Sequence, residues 1–320
     1  MDEYVDILLA TYNGEKYIRE QLDSILQQTY NKINIYISDD YSTDSTPNIL
    51  KEYELKYDNI NVTYQEQNIG SIRNFEYLMN KVKSQYYMLS DQDDVWYEDK
   101  VEKSLKKLKE ENADLVFTDL EVVDENLNTI NKSFYTMMGK IGKINKSINK
   151  KEFEYLYNSV TGCTILSRLD FINKILPLPK DSKYVIHDSW IGLITSLNGK
   201  IVFLDEPTIK YRQHGDNQIG IKKRKYESFD EMRNLFISVK LDLFKTYLEN
   251  NEKFPEHLKQ LNIKGKKYFE RIRLKKYFNF YGWNVFRKLY KNEQFSYYMK
   301  NFIILNIPMI GKIIFKYINK

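Results

Sequence analysis

The stretch VDILLATYNGEKYIREQLDSILQQ, residues 5–28, combines a strand signal with a helix signal. A short apolar run covers 5–10, and apolar side chains then recur at helical spacing over 15–28. The polar residues 11–14 separate the two segments. A strand followed by a helix is the repeating element of an α/β fold, and this stretch therefore suggests that class.

The same alternation continues along the chain. Strand signals are found at 33–38, 60–64, 86–89, 114–118, 160–166 and 201–204, and helix signals at 71–83, 99–111, 187–197, from 44 and from 226 onward. This order predicts a mainly parallel sheet flanked by helices, with ligands bound beyond the carboxyl ends of its strands. Residues 131–151 are rich in Asn and Lys, which predicts a mobile loop near a site.

Composition excludes several protein classes. The 320 residues are 42% hydrophobic, which excludes wholesale disorder, and the single cysteine, Cys163, excludes an internal disulfide framework. Cys163 is predicted to be a small buried apolar residue. The chain shows neither a basic start followed by an apolar run nor about 18 uninterrupted apolar residues. We therefore expect a cytoplasmic protein without a clear membrane-spanning helix.

Charge divides the chain into two regions. Residues 1–220 hold 26 basic and 35 acidic side chains, whereas 221–320 hold 23 and 9. This asymmetry predicts a catalytic domain over 1–220 and a basic, aromatic-rich helical region over 221–320. Within that region, 264–320 contain 14 basic and 2 acidic residues. Basic and aromatic side chains together suit an anionic membrane surface, and no nucleic-acid fold motif appears. The alternative is a helical region that only packs on the catalytic domain.

Polar clusters follow three of the predicted strands, at 11–14, 39–44 and 90–94. Crowded carboxylates repel one another unless they meet a cation or hydrogen-bond donors. The pair Asp91 and Asp93 has the Asp-x-Asp spacing that suits a hard divalent ion such as Mg²⁺ or Mn²⁺. The alternative from the residues alone is a solvated turn or the N-cap of the next helix.

Six segments carry a family pattern, in the order LLATYNGEKYIREQLDSILQQTY (8–30), ISDDYSTDST (37–46), NIGSIRNF (68–75), LSDQDDVW (89–96), HDSW (187–190) and YRQHGDN (211–217). Together they resemble the family 2 glycosyltransferases of GT-A fold, and in particular the bacterial rhamnosyltransferase-like branch. The resemblance covers about residues 7–217. It implies a GT-A type sheet and an enzyme that transfers a sugar from a nucleoside-diphosphate donor.

The resemblance also implies roles for single residues. The donor-binding set is Thr11, Asn13, Glu15, Asp39, Asp40, Arg73 and Asp91. Of these, Asp39 and Asp40 would accept hydrogen bonds from the base or ribose, and Arg73 would pair with the diphosphate. From the residues alone, an aspartate here could instead cap the following helix, and Arg73 could be an exposed helix arginine.

The implied metal ligands are Asp93, Asp91 and His214, with Asp93 in direct contact with Mn²⁺ or Mg²⁺. His214 is alternatively a diphosphate contact or an ordinary loop histidine, and Asp94 is a secondary ligand or a helix cap. The implied general base is Asp188, which would deprotonate the acceptor hydroxyl. The family usually has an acidic residue at the position of His187, for which a structural hydrogen-bonding role is predicted.

The leading hypothesis is an inverting, metal-dependent glycosyltransferase. It would move a sugar, with dTDP-rhamnose or a UDP-sugar as donor, to a surface-glycan or lipid-linked acceptor in cell-envelope polysaccharide biosynthesis. Its place would be the inner face of the cell membrane, as a peripheral protein. A sugar nucleotidyltransferase would need a Gly-rich phosphate loop after the first strand, which TYNGEKY lacks. An inactive nucleotide-sugar-binding membrane adaptor is opposed by the presence of Asp91, Asp93, Asp188 and Arg73 together.

Overall fold

The computed structural model describes residues 3–139, 141, 144, 148, 159–215, 226–274, 280–289, 302–303 and 305–307. The strands are β1 (Val5–Thr11), β2 (Ile33–Asp39), β3 (Ile60–Tyr64), β4 (Tyr86–Ser90), β5 (Val95–Trp96), β6 (Leu115–Val123), β7 (Thr129–Asn131), β8 (Leu166–Arg168) and β9 (Ile201–Arg212). The helices are α1 (Ile18–Leu26), α2 (Thr46–Lys56), α3 (Ser71–Met79), α4 (Lys100–Glu110), α5 (Phe134–Met137), α6 (Ile172–Ile175), α7 (His187–Asn198), α8 (Phe229–Glu249), α9 (Glu256–Arg273) and α10 (Phe280–Leu289).

The strands form one mixed sheet in the order β3-β2-β1-β4-β8-β6-β9-β5, with β7 beside β6. Strands β1 to β4 are mutually parallel, β8 runs antiparallel to β4 and β6, and β6 is parallel to β9. The α/β prediction is thus confirmed, and the carboxyl ends of β1, β2 and β4 lie at one edge. Polar segments that follow these strands are brought together there.

Burial explains why the first strand and helix form where the pattern predicts them. Nearly every side chain of β1 is buried, as expected of a parallel strand covered on both faces. In α1 the buried residues Ile18, Leu22 and Ile25 recur three or four positions apart, so that one helix face packs into the core. The predicted unit over 5–28 is confirmed.

The strand predicted over 160–166 is wrong. Residues Gly162–Thr164 form a 3₁₀ turn, and the strand β8 begins only at Leu166. The Thr161 carbonyl accepts hydrogen bonds from Thr164 N at 3.0 Å and from Thr164 Oγ1 at 2.6 Å. These two bonds close a turn where apolar content alone had indicated an extended chain.

Two other strands are longer than predicted. Strand β6 continues to Val123 and β9 to Arg212, and the two stay paired past Pro207. The register shifts between Thr118 and Asp119, which allows the proline to be accommodated without ending the strand. Within the loop predicted over 131–151, α5 occupies Phe134–Met137, and the residues 140, 142–143, 145–147 and 149–151 lie outside the described part of the chain.

The chain forms two compact units, one of residues 1–180 and 187–220 and the other of 181–186 and 221–320. In the second unit, Asp242 on α8 accepts hydrogen bonds from Ser182 Oγ at 2.5 Å and from Tyr184 N at 3.1 Å. A Cβ on Gly265 would lie 2.5 Å from the ring of Phe244, so that α8 and α9 approach closely at a glycine. Within the described residues no helix is both long and apolar enough to cross a membrane.

Candidate active site

Gln92 joins the loops that follow β1 and β4. Its Oε1 accepts hydrogen bonds from Thr11 Oγ1 at 2.6 Å and from Tyr12 N at 2.8 Å. Its Nε2 donates to the Tyr12 carbonyl at 3.1 Å. The middle residue of the Asp-x-Asp motif therefore holds the motif against the end of β1. Its contacts are 80 and 81 positions away in sequence, so sequence reasoning had no signal for this role.

Gly14 makes that junction possible. A Cβ at position 14 would lie 2.5 Å from Gln92 Oε1 and 2.9 Å from Thr11 Oγ1, distances that no side chain can tolerate without movement. A side chain at position 14 would therefore have to displace the Gln92 amide from its hydrogen bonds with Thr11 and Tyr12.

Asn13 and Glu15 hold the first loop against the loop after β2. Asn13 Oδ1 accepts from Thr43 N at 2.8 Å, and Glu15 Oε2 accepts from Ser45 N at 2.8 Å. Both residues lie at the predicted edge of the sheet, where their polar atoms order a neighbouring loop. Their contact with a nucleotide stays a prediction.

Asp39 and Asp40 are both buried at the end of β2. Asp39 accepts from Ser42 N at 3.0 Å and from Ser42 Oγ at 2.6 Å, and burial raises its pKa. Asp40 accepts from Ile69 N at 2.7 Å and Gly70 N at 2.9 Å. Neither caps α2, since Asp44 accepts from Thr46 N in the first turn at 2.9 Å. Asp40 instead fixes the start of α3.

Arg73 lies in the first turn of that helix. Its Nη1 forms an ion pair with Glu76, whose other carboxylate oxygen accepts from Leu178 N at 3.2 Å. The Arg73 side chain is 26% exposed, and its buried Nη2 has no hydrogen-bond partner among the described residues. A guanidinium that is oriented by a carboxylate and retains an unused donor suits an incoming phosphate oxygen.

The metal motif and His214 meet at the end of β4. Asp93 Oδ2 lies 2.8 Å from His214 Nε2, although 121 positions separate the two residues. The His214 ring also contacts Tyr17, with 4.8 Å between ring centroids. Burial, together with the negative charges of Asp93 and Asp188, raises the pKa of Asp91 to about 7. Asp91, Asp93 and Asp188 therefore lie close enough to interact electrostatically.

Asp94 is buried beneath the motif. Its Oδ1 accepts from Arg212 N at 3.3 Å, whereas its buried Oδ2 has no hydrogen-bond partner in the described part of the chain. Burial and the charges of Asp93 and Asp91 raise its pKa well above the usual value. The helix-cap alternative for this segment is wrong, because β5 follows it and α4 begins only at Lys100.

A divalent ion fits this group of side chains. Ligand atoms of Asp91, Asp94 and Cys163 lie within 4.8 Å of one another, a set that overlaps with the predicted ligands Asp91, Asp93 and His214 only in Asp91. Carboxylate and imidazole donors suit Mn²⁺ or Mg²⁺, and the unpartnered oxygen of Asp94 leaves acceptor capacity. Cys163 is fully buried as predicted, and burial raises its thiol pKa, which disfavours the thiolate that a metal would bind.

Lys100 is a second residue that sequence reasoning missed. It is fully buried, donates from Nζ to the Cys163 carbonyl at 3.1 Å, and lies 4.6 Å from the centroid of the Trp96 ring. Burial lowers its pKa to about 7. Lys100 also lies close enough to Asp94 to interact electrostatically with that carboxylate. Its helical position gave no sequence signal that it faces inward.

Asp188 lies in the first turn of α7, near the acidic motif. The side chain is buried, and its Oδ2 accepts from Gly162 N at 3.3 Å. The neighbouring His187 stacks on Phe75 with 4.2 Å between ring centroids, and burial lowers its pKa to about 4. Within the described residues its buried Nδ1 has no hydrogen-bond partner. His187 is therefore a neutral packing residue, rather than a hydrogen-bonding one through Nδ1.

Residues 6–175 match the family described as Glycosyl transferase family 2. The chain is 32% identical to the dTDP-rhamnosyl transferase RfbG of Shigella flexneri over 241 residues, 71% of this chain and 79% of RfbG. It is 29% identical over 230 residues to the glycosyltransferase MJ1057 of Methanocaldococcus jannaschii, covering 70% and 77% of the two chains.

Solved structures share the fold. The S. aureus TarS fragment 1–349 in complex with UDP-GlcNAc has a TM-score of 0.58 and 17% identity, over 95% of this chain and 84% of that one. The mannosyltransferase PcManGT of Pyrobaculum calidifontis, in complex with GDP-Man and Mn²⁺, has a TM-score of 0.52 and 14% identity, over 92% and 77%. At these identities the likeness concerns the fold.

Proposed function

The chain belongs to glycosyl transferase family 2, and from this premise we propose an inverting, metal-dependent transfer of a sugar from a nucleoside-diphosphate donor. We propose dTDP-rhamnose as the donor and a surface-glycan or lipid-linked molecule as the acceptor. The proposal is supported by the approach of two separate segments: Asp188 accepts from Gly162 N, and the neighbouring Cys163 has its thiol within 4.8 Å of the Asp91 carboxylate. The likeness to a relative named as a dTDP-rhamnosyl transferase supports the donor choice.

Asp188 is the general base of the proposed reaction. A sugar hydroxyl is a poor nucleophile, and removal of its proton by a carboxylate lowers the barrier to attack. The acceptor oxygen forms a bond to the anomeric carbon while the bond from that carbon to the diphosphate oxygen breaks. The acceptor proton goes to Asp188, and the bonding electron pair leaves with the nucleoside diphosphate. Attack opposite the leaving group inverts the anomeric centre.

Arg73 and a divalent ion bound by the acidic motif would stabilise the negative charge of the leaving diphosphate. The unused Nη2 donor of Arg73 suits a diphosphate oxygen whose negative charge grows as the sugar departs. Asp91, Asp93 and His214 are the proposed ligands of a divalent ion, with Asp94 as a further carboxylate nearby. When bound, Mn²⁺ or Mg²⁺ would neutralise part of the diphosphate charge.

The nucleoside is proposed to bind between the loops that follow β1 and β2. Thr11, Asn13 and Glu15 border this position, and Asp39 and Asp40 close it from the strand β2. Each carboxylate oxygen of Asp40 already accepts one backbone hydrogen bond, and each has a second lone pair for a ribose or base donor.

A donor panel tests the proposal. The full chain is mixed with dTDP-rhamnose, UDP-GlcNAc or GDP-mannose, with Mn²⁺ or with EDTA, and the unfolding temperature and diphosphate release are measured. We expect dTDP-rhamnose with Mn²⁺ to stabilise the protein most, by about 2.7 kcal/mol at 100 times its Kd, and EDTA to stop turnover. Stabilisation by none of the donors contradicts the proposal. Pyrophosphate release from dTTP would favour a nucleotidyltransferase instead.

We further propose that the second unit binds an anionic membrane surface. In α9 the exposed residues Lys264, Lys267 and Arg271 recur three or four positions apart, and Leu274 just beyond is 63% exposed. A basic helix stripe with an apolar residue suits anionic headgroups, each charge contributing about 1 kcal/mol. Most of the basic segment predicted at the C-terminus, including 308–320, lies outside the described residues.

Charge reversal tests this surface. The triple variant Lys264→Glu, Lys267→Glu and Arg271→Glu should weaken binding to phosphatidylglycerol vesicles at least about 100-fold. The matched control, Lys51→Glu with Lys56→Glu and Lys106→Glu, applies the same charge change to exposed lysines of the first unit. Equal binding by the two triple variants would count against the proposed surface.

A further inference from the structure

Arg212 is a buried residue within the YRQHGDN segment, and nothing in the proposed reaction has yet used it. Its side chain is 2% exposed. Three of its nitrogens have acceptors: Nε donates to the Asp93 carbonyl at 2.9 Å, Nη1 donates to the Glu125 carbonyl at 2.6 Å, and Nη2 pairs with the Glu20 carboxylate. The guanidinium carbon also lies 4.5 Å from the centroid of the Tyr17 ring.

These contacts converge on the metal motif. Asp93 is held twice from the end of β9, because Arg212 binds its carbonyl and His214 binds its carboxylate. The backbone N–H of Arg212 also donates to the carboxylate of Asp94. Tyr17 contacts both Arg212 and His214. Residues 212–214 therefore hold the carbonyl and the carboxylate of Asp93 and the carboxylate of Asp94. The same stretch supplies the imidazole of His214.

We propose that Arg212 is a positioning residue that fixes Asp93 and His214 in the arrangement needed for the divalent ion, an inference that rests on the proposed function. A guanidinium is planar and presents its donors in a rigid fork, so that three acceptors from three segments are fixed at set angles. A lysine has one nitrogen on a flexible stem and cannot hold all three. Groups that orient metal ligands typically change metal affinity when they are replaced.

Glu20 lies at the surface, so that its replacement weakens the contacts of the Arg212 guanidinium without creating a cavity in the core. The Glu20 side chain is 54% exposed, whereas Arg212 is buried. Glu20→Ala therefore removes one acceptor of the fork at the surface and leaves both carbonyl contacts in place. Arg19, one position earlier, pairs with Glu52 in an exposed ion pair and provides a matched control.

The experiment measures Mn²⁺ binding by the full chain, from the electron paramagnetic resonance signal of free Mn²⁺, in the presence of dTDP and, separately, of UDP. Unfolding midpoints are recorded alongside. Arg212→Lys should raise the Mn²⁺ dissociation constant about 10- to 100-fold in a folded protein. Turnover of dTDP-rhamnose should fall at low Mn²⁺ and recover at excess Mn²⁺. Arg19→Gln should leave Mn²⁺ binding unchanged.

Several outcomes overturn the inference. A folded Arg212→Lys protein with normal Mn²⁺ affinity would do so. If Arg212→Lys does not fold, Glu20→Ala decides: we expect a rise of about 2- to 5-fold in the Mn²⁺ dissociation constant, the equivalent of one exposed ion pair. Unchanged affinity in that variant overturns the inference. If the unmodified protein does not bind Mn²⁺, the proposed metal dependence is contradicted along with the role of Arg212. If only the variants bind Mn²⁺ normally, the role of Arg212 alone is contradicted.

Discussion

Replacement of Asp188 by asparagine is the sharpest test of the proposed chemistry. Asp188→Asn keeps the shape of the side chain, and its amide oxygen can still accept from Gly162 N, a bond that is long at 3.3 Å. The change removes the proton acceptor and one negative charge beside Asp91. We expect turnover to fall about 10²- to 10⁴-fold, the usual contribution of a general base, which corresponds to about 3–5 kcal/mol of barrier.

The affinity of Asp188→Asn for the donor, unlike its turnover, should stay the same or increase. Because the charge of Asp188 is one cause of the raised pKa of Asp91, its removal should lower that pKa and favour the ionised form that binds a cation. The donor Kd with Mn²⁺ should therefore stay the same or decrease. Stability should change by about 1 kcal/mol or less, because a weak hydrogen bond is kept and a repulsion is removed.

The assay separates these quantities. Release of dTDP from dTDP-rhamnose is measured with a cell-envelope lipid extract as acceptor source, donor affinity by calorimetry, and stability by urea unfolding. Asp170→Asn, at an exposed position of the same unit, is the matched control and should behave as the unmodified protein. A loss of donor affinity that matches the loss of turnover would refute the assignment of Asp188 as the base, and so would turnover near the normal rate.

Three further outcomes are expected. Gly14→Ala should lower the free energy of unfolding by about 1–3 kcal/mol in urea titrations, because its Cβ would meet the Gln92 amide at 2.5 Å. Arg73→Gln should raise the donor Kd by calorimetry about 10-fold or more, because a charge-assisted phosphate contact is lost, with an unchanged Kd arguing against that contact. In the metal-free protein, stability should fall by about 1–3 kcal/mol as pH rises from about 4 to about 7, since the raised pKa of Asp91 means that the folded state holds a proton which the unfolded state releases. Asp91→Asn should flatten that pH profile, and a profile unaffected by the variant would contradict the assignment.

Local sequence patterns predict the elements whose structure depends on residues close together in the chain. The α1 helix follows from apolar spacing, and the meeting of the segments after β1, β2 and β4 follows from parallel strands. Asp188 is different, because it lies at the start of a helix and joined the candidate site through the family resemblance alone. The strand predicted over 160–166 was wrong because hydroxyl and backbone groups of Thr161 and Thr164 close a turn.

Long-range contacts account for the residues that were missed. Gln92 contacts residues 80 and 81 positions away, Lys100 contacts Cys163, and Arg212 pairs with Glu20 across 192 positions. No periodicity in a single sequence records such pairs. A buried arginine or lysine also contradicts the usual expectation for these residue types, and its position becomes clear only when the surrounding carbonyls and carboxylates are located.

The two missed residues Lys100 and Arg212 do not satisfy every carboxylate oxygen of the acidic motif. Both residues are buried: Lys100 interacts electrostatically with Asp94, and Arg212 donates to the Asp93 carbonyl. Neither offers a side-chain donor to Asp94 Oδ2, which has no partner among the described residues. Burial first, and then the charges of the neighbouring aspartates, raise the pKa values of Asp91 and Asp94, so that protons relieve the remaining repulsion. A divalent ion and a proton then compete for the same carboxylates, so that Mn²⁺ affinity must increase as pH rises through about 7.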